Sequence, residues 1–412
     1  MRILVTTSLY PNAVKPRHGI FVETRLRQVL ATGHVEAAVI APVPWFPFRS
    51  ARFGAYGDYA RVPVQEARYG IDVAHPRYFM LPLLGMRLQP LAMAGALERA
   101  ILRRRRESGA DFDLIDAHYF YPDGVAAAHV ARRLDKPLVI TARGSDINLI
   151  ATLAGPGRAI LEAAATASEI IAVSRALADR MESLGIPGSR ITVLRNGVDA
   201  KLFRPAPRAE ARQALGLPQS GLLLASVGNL RPEKGHELAI RSLRHLPDAR
   251  LLIVGDGPDE AVLRRCVQEE GLGDRVHWSE PMAQDRLRLA YAAADVLLLC
   301  SAREGWPNVL LESLACGTPV VASDVGGVSE IVDPSVGRLV SERTPAAFAD
   351  AVRDLLRTPV EAAAAVAYAQ RFDWATIADG QVEVYRRASG RTPVTLPTGS
   401  RTAHPDTVRE SS

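Results

Sequence analysis

Short, unbroken apolar runs alternate with stretches of helical period along most of the chain, and this alternation leaves little choice of fold. Runs of this length without polar alternation read as strands buried on both faces, and strands separated by helices build parallel sheets. Six runs, at 3–6, 37–41, 114–117, 138–141, 170–173 and 191–194, precede residue 199, and five more, at 222–227, 250–254, 276–278, 296–300 and 320–322, follow residue 218. Between the sets lies 199–218, rich in Pro, Ala and charge and without a burial pattern at its start, which reads as a hinge. A chain of 412 residues exceeds one ordinary core. The expectation is α/β structure in two doubly wound Rossmann-like domains, 1–198 and 219–372, facing one another across a cleft. Ligands of such sheets gather beyond the carboxyl ends of the strands. The conspicuous polar and glycine clusters fall there: Gly19, His118, Arg143 to Asp146, Asn196, Asn229 to Gly235, Gly255 to Gly257, and Ser301 to Glu304.

The stretch SAREGWPNVLLESLACGTPVV, 301–321, carries the most chemistry. It follows a buried strand, and Gly305, Trp306, Pro307 and Asn308 turn the chain into a helix with Asn308 as its N-cap and Glu312 about one turn in. Gly317 ends that helix and Pro319 leads into the next strand. Two carboxylates, Glu304 and Glu312, thus border one cleft, with free backbone N–H groups of a helix start between them. Carboxylates hold polyhydroxy groups and such amides favour an anion, a combination that suits a nucleotide sugar.

Glu304 and Glu312, with seven residues between them, match the Glu-x7-Glu motif of the family 4 retaining glycosyltransferases, and EGWPNVLLESLACGTPVVAS resembles that family's donor-site segment. The resemblance implies the GT-B architecture and a donor site in the rear domain. It gives Glu312 the ribose hydroxyls, Glu304 the hydroxyls of the transferred sugar, and the amides of Gly305, Trp306, Pro307, Asn308 and Val309 a share in holding the donor, of which Pro307 has no N–H to give. The loop 228–235 places Lys234, with Arg231, against a diphosphate; Asn229 stands where the family usually has Arg. Gly255 and Gly257 resemble the family's glycine turn near the nucleotide, and Glu260 in the third glycine place removes a nicotinamide-binding reading. His118 reads either as structural or as a polar group lining the donor sugar or acceptor. Thr141 to Asp146 resembles a T-x-H-G-x-D segment with Arg143 in the histidine position, where Arg suits a charged acceptor and Asp146 a sugar hydroxyl. Gly19 would let a helix start approach the reacting groups, and SLYPN with HGIFVE resembles the branch that includes teichuronic-acid-type enzymes. The implied chemistry is retaining hexosyl transfer from a nucleoside diphosphate sugar to a glycan or lipid-linked saccharide in polysaccharide biosynthesis, with no cofactor and no metal.

The remaining features set bounds. Net charge is +5, almost all its cation Arg, which suits anionic nucleotides or a phospholipid surface, and no aromatic-basic pattern points to nucleic acid. Cys266, Cys300 and Cys316 lack metal spacing and read as reduced core residues of a cytoplasmic protein. The N-terminus reads as a strand rather than a signal peptide, and the segment 78–102 is too interrupted to span a bilayer. Asp111 and Asp113 spell a D-x-D, but at the sheet edge away from the cleft, where they read as surface carboxylates. Arg103 to Arg106 reads either as a solvated helix face or, with the apolar residues of 78–91, as contact with the inner membrane surface. The helical pattern 373–388 is expected to pack back on the first domain, and 389–412 to be a disordered tail. Two other functions fit the architecture: a nucleotide-sugar epimerase, which would have to find its acid and base among His118 and the two glutamates, and a non-catalytic sugar-nucleotide sensor, favoured by Asn229 and Arg143.

Overall fold

The computed structural model describes residues 1–80, 85–109 and 111–390. The front sheet contains β1 (Arg2–Thr6), β2 (Glu36–Ile40), β3 (Gln65–Arg68), β4 (Ile71–Ala74), β5 (Leu114–His118), β6 (Leu138–Ala142), β7 (Glu169–Ala172) and β8 (Ile191–Val193). Their spatial order is β8-β7-β6-β5-β1-β2-β4-β3. Neighbours are parallel except β3 and β4, an edge hairpin turned at Tyr69 and Gly70, both at positive φ. The rear sheet contains β9 (Leu222–Val227), β10 (Ala249–Val254), β11 (Val276–Ser279), β12 (Val296–Leu299), β13 (Val320–Ser323) and β14 (Gly337–Val340), in the order β11-β10-β9-β12-β13-β14 and parallel throughout.

Burial on both faces explains the unbroken runs. In β1, Ile3 and Val5 pack with Val22, Leu26 and Val29 of α1 (Ile20–Ala31), while Leu4 points the other way, into a core shared with Met93, Leu97 and Ile101 of α2 (Gly85–Ser108). Each side chain so buried contributes about 1.5–3 kcal/mol. The strands no apolar run marks are the edge strands β3 and β14 and β3's neighbour β4: β3 has no fully buried residue, β4 alternates buried with more exposed ones, and β14 carries Gly and Arg.

Two details differ from expectation. The segment 199–218 is not a slack connection: it holds the helix Arg208–Ala214, whose buried Arg212 donates to the Ala293 carbonyl (3.0 Å) and to Asp295 (2.9 Å), fastening it to the rear half. The helix of the donor segment, α3 (Asn308–Ala315), begins one residue earlier than the cap reading requires, so Asn308 is its first helical residue and Pro307 its N-cap.

Residues 373–388 form α4 (Trp374–Ala388), capped by the Asp373 carboxylate. It follows the rear sheet in sequence yet lies on the front one: Ala378, Val382 and Tyr385 join the α1 core, and the Val198 N–H donates to the Phe372 carbonyl (3.0 Å) beside this crossing. The Tyr385 hydroxyl donates to Asp116 at the end of β5 (2.6 Å) and accepts from Gln381 (2.9 Å). The expected tail lies, from residue 391, outside the described residues. Tyr385→Phe removes one hydroxyl from a buried carboxylate without changing shape. It should cost about 1–3 kcal/mol, read as a lower denaturation midpoint with an unchanged slope.

Candidate active site

The rear wall is three loops that leave the carboxyl ends of adjacent strands and lie one on another. Val227 and Val254 are partners across β9 and β10, so Gly228 and Gly255 emerge side by side. A Cβ on Gly255 would lie 1.9 Å from the Gly228 carbonyl oxygen, and one on Gly257 2.2 Å from that of Leu230. Only glycine permits that approach, so these two residues shape the 228–235 loop. Gly235, at φ 69°, makes the same accommodation to the Cys300 carbonyl after β12, where a Cβ would sit at 2.1 Å. The loop's other brace is His236, which the sequence reading passed over. Its Nε2 faces the Asn229 carbonyl (3.2 Å), which can only accept, so Nε2 carries the proton and Nδ1 accepts from Ser226 (2.8 Å). Burial pushes this imidazole down to about 4, so it is neutral at physiological pH.

This stacking brings Lys234 to Glu304, Nζ to Oε1 at 2.7 Å, with both side chains part-exposed at 30% and 9%. Glu312, in the second turn of α3, accepts from the Tyr291 hydroxyl (2.7 Å). Burial raises its carboxyl to about 7, against the opposing pull of that hydrogen bond. Tyr291 lies in a different helix (Gln284–Ala293), and no local pattern announces it. Gly305, Asn308 and Val309 are half-buried at the start of α3, whereas Trp306 and Pro307 are buried. The Trp306 indole donates to the Asn196 carbonyl (3.0 Å) rather than lining an open face. Arg231 and Asn229 are exposed at the loop surface.

The front wall departs from its expected roles. His118 is 2% exposed and does not open onto the cleft. Arg143 Nη2 donates to its Nδ1 (2.6 Å), so its Nε2 holds the proton toward Asp116 (3.1 Å). Burial lowers its pKa against the pull of Asp116. Part-buried Arg143 also donates to Asn196 Oδ1 (3.3 Å), so both of its Nη groups are bonded within the fold rather than presented to an acceptor, and burial pulls its guanidinium down to about 9. Asp146 is fully buried and accepts from the backbone N–H groups of Phe120 (2.8 Å), Arg143 (3.1 Å) and Gly144 (2.7 Å): it shapes the turn after β6 and has no lone pair turned to a sugar hydroxyl. Asn196 spans the two halves, accepting from Arg25 (3.1 Å) and Arg143 and donating to Asn308 Oδ1 (3.1 Å). Gly19, at φ 70°, starts α1 as expected; a Cβ there would meet the Leu9 carbonyl oxygen at 2.1 Å.

The walls meet backbone to backbone. A Cβ on Gly305 would stand 2.3 Å from the Arg143 carbonyl oxygen, and one on Gly327 2.8 Å from the Ser174 Cβ. Glu330 of the rear half accepts from Arg195 (2.6 Å) and from the Ala176 N–H (2.9 Å) of the front half, and Arg17 reaches Asp256 at 3.5 Å. Of the D-x-D, Asp111 is paired with Lys136 and Arg105, and Asp113 accepts from the Arg2 N–H. Among the described residues, no group of three or more His, Cys, Asp or Glu could hold a metal ion.

Comparison with known proteins adds an independent line. Residues 207–372 match the model described as glycosyl transferases group 1, and residues 23–202 that described as glycosyltransferase family 4. A putative teichuronic acid biosynthesis glycosyltransferase of Bacillus subtilis is 34% identical over 85% of this chain and 88% of its own length. A D-inositol 3-phosphate glycosyltransferase of Acidothermus cellulolyticus is 35% identical over 71% of each chain. Among solved structures, Anabaena HepE in complex with UDP superposes over 93% of this chain and 99% of its own, with a TM-score of 0.71 at 23% identity. Sucrose-phosphate synthase of Thermosynechococcus elongatus superposes over 94% and 99%, with a TM-score of 0.74 at 21% identity.

Glu312 supplies a direct check of the geometry. Its folded pKa of about 7 lies above its ordinary value near 4.5. The folded state therefore holds this proton more tightly than the unfolded chain does, and stability is lost as pH rises from about 4.5 through about 7. Glu312→Gln cannot ionise, so its melting temperature should exceed that of the wild type at pH 8 and equal it at pH 4.5.

Proposed function

The chain belongs to glycosyltransferase family 4, and we propose that it transfers a hexose, with retention of configuration, from a nucleoside diphosphate sugar to a hydroxyl of a glycan or lipid-linked saccharide in cell-surface polysaccharide assembly. The observation that carries this reading is the Lys234–Glu304 ion pair at the carboxyl ends of the rear strands, with Glu312 in the helix that follows Glu304. Glu312 takes the ribose hydroxyls, held in place by Tyr291. Glu304 takes hydroxyls of the transferred sugar. Lys234, drawn from Glu304 when the donor enters, offsets the charge gathering on the leaving diphosphate, with Arg231 as a second cation. The acceptor oxygen bonds to the anomeric carbon on the face that the phosphate leaves, and its proton passes to the departing phosphate oxygen. The N–H groups at the start of α3 help hold the donor, and the cations in the 228–235 loop take the charge-balancing role that a metal fills in other transferases. On this reading the reaction takes place in the cytoplasm, at the inner face of the membrane where a lipid-linked acceptor is presented; one relative's name in teichuronic acid biosynthesis, another's in glycosyl transfer to inositol 3-phosphate, and the UDP held by HepE support it.

The test is turnover of UDP-glucose, and then of GDP- and ADP-sugars, with product analysis. Nucleoside diphosphate release and a lengthened acceptor are expected, unchanged by EDTA; an altered sugar without an acceptor would make the protein an epimerase, and binding without release a sensor. Lys234→Ala should lower kcat about 100- to 1,000-fold, the range for losing one donor aimed at developing charge. Glu312→Gln should weaken donor affinity roughly tenfold or more in calorimetry, through loss of charge-assisted hydrogen bonds.

A further inference from the structure

Among the described residues, ten of the sixteen exposed large apolar side chains fall between 45 and 102. Part of this group forms a surface rather than a scatter. Trp45 and Phe79, 49% and 59% exposed, come from different segments, yet their rings are 6.2 Å apart. Phe46 braces the first of these segments from behind, against Phe53 and Tyr56 at 5.4 and 5.3 Å, and leaves Phe48 55% exposed. The segments are pinned to each other by the short parallel pairing of Val43–Pro44 with Arg77–Tyr78, and Tyr78 accepts from Gln89 in the first turns of α2 (3.0 Å). From there Leu88 and Leu91, both about half exposed, continue the patch along the helix.

Farther along α2, at the same three- and four-residue spacing, the exposed residues become Arg99, Arg103 and Arg106. Arg99 and Arg103 also line a groove of about 530 Å³ between α2 and the β2–β4 edge, together with Arg77 and His75. Of the carboxylates nearby, Asp58 is engaged with Lys15 and Arg61, Asp72 with Arg104, and Glu98 with Arg133, while Glu107 lines the same groove. An apolar, aromatic-rich patch thus runs into a groove lined by four arginines, Arg77, Arg99, Arg103 and Arg104, against two carboxylates, Asp72 and Glu107, which leaves it net positive.

We infer that this flank docks the protein on an anionic bilayer, with Trp45, Phe48 and Phe79 seated at the headgroup level and the Arg99–Arg103 groove taking an acidic lipid headgroup. Trp at an interface keeps an apolar body in lipid and its N–H in water, and basic side chains beside it are held by the surface potential. A second copy of the chain fits less well, since a two-fold contact would set arginines against arginines. The location supports the inference. Trp45 and Phe79 follow the carboxyl ends of β2 and β4, the same edge that carries the cleft, so a bilayer held there lies beside the site. The usefulness of that position rests on the lipid-linked acceptor of the proposed function, whereas the docking itself does not.

The experiment is flotation of the full chain with vesicles of phosphatidylcholine alone or with one-third phosphatidylglycerol. The wild type should float with the anionic vesicles and not with the neutral ones, and rising salt should release it. Arg99→Gln with Arg103→Gln should lower partitioning roughly thirty-fold, at about one surface arginine's worth each. Trp45→Ser with Phe79→Ser should abolish flotation. Both pairs should keep wild-type release of UDP from UDP-glucose, which shows that they fold and tests the donor reading separately. Equal flotation with neutral vesicles, none with either, or wild-type flotation in both variant pairs would overturn the inference. So would a dimer in sedimentation that either variant pair dissociates, since the patch would then belong to a second copy.

Discussion

A guanidinium taken out of water needs acceptors close by, and buried Arg25 finds them on its Nε and Nη1, while its Nη2 has none. Its Nε donates to Gln381 of α4 (2.7 Å), and its Nη1 to the carbonyls of Leu194 (3.1 Å) and Arg195 (3.2 Å) and to Asn196 Oδ1. One side chain of α1 therefore fixes the C-terminal helix and the exit from the last front strand. From Asn196 the constraint passes to the rear half through Asn308 and Trp306, and through Arg143 and His118 it returns to Asp116 and Tyr385. Two guanidiniums, Arg25 and Arg143, face two carboxylates, Asp116 and Asp146, so the network is charge-balanced, and breaking any one partner leaves an uncompensated buried group.

What that network fixes is the floor on which the two walls rest. Gly305, wedged against the Arg143 carbonyl, lies one residue after Glu304 and three before Asn308. The carboxylate that meets Lys234 is therefore positioned from both halves. Lys234 comes from a loop packed wholly by the rear half, through the Gly235 and Cys300 contact and the bond from the Ala302 N–H to the Glu233 carbonyl (2.8 Å). The ion pair is where a jointly held group meets a rear-held one. A ligand between them would exchange a protein pairing for its own, which keeps the lysine's charge compensated before and after binding.

The donor half was legible because its constraints are local. Buried parallel strands announce themselves as apolar runs, and the loops after them need glycine where backbones touch, so Gly235, Gly255, Gly257 and Gly305 mark close approaches that the coordinates display. The front half was less legible for a geometric reason. A polar residue just past a strand can turn into the cleft or into the neighbouring loop, and spacing does not distinguish the two: His118, Asp146 and Arg143 turned inward. Tyr291 and Gln381 were invisible because their partners, Glu312 and Arg25, lie 21 and 356 residues away. The β3–β4 hairpin was missed because β4 alternates buried with more exposed residues, β3 buries none of its residues fully, and neither carries an apolar run.

The two departures from the family pattern differ in kind once they are placed. Asn229 is exposed, and what the fold takes from it is the backbone carbonyl that holds His236, a service any residue could give. Its side chain is thus free to vary, and Arg231, two residues on in the same loop, supplies a cation without any change of backbone. Arg143 is the opposite case. It donates to His118 and Asn196 at once, reaching farther than an imidazole in its place could, and its charge is matched by buried carboxylates. The first departure thus leaves the loop's backbone as it is, whereas the second makes its side chain part of the contact between the front and rear halves through Asn196 and Asn308.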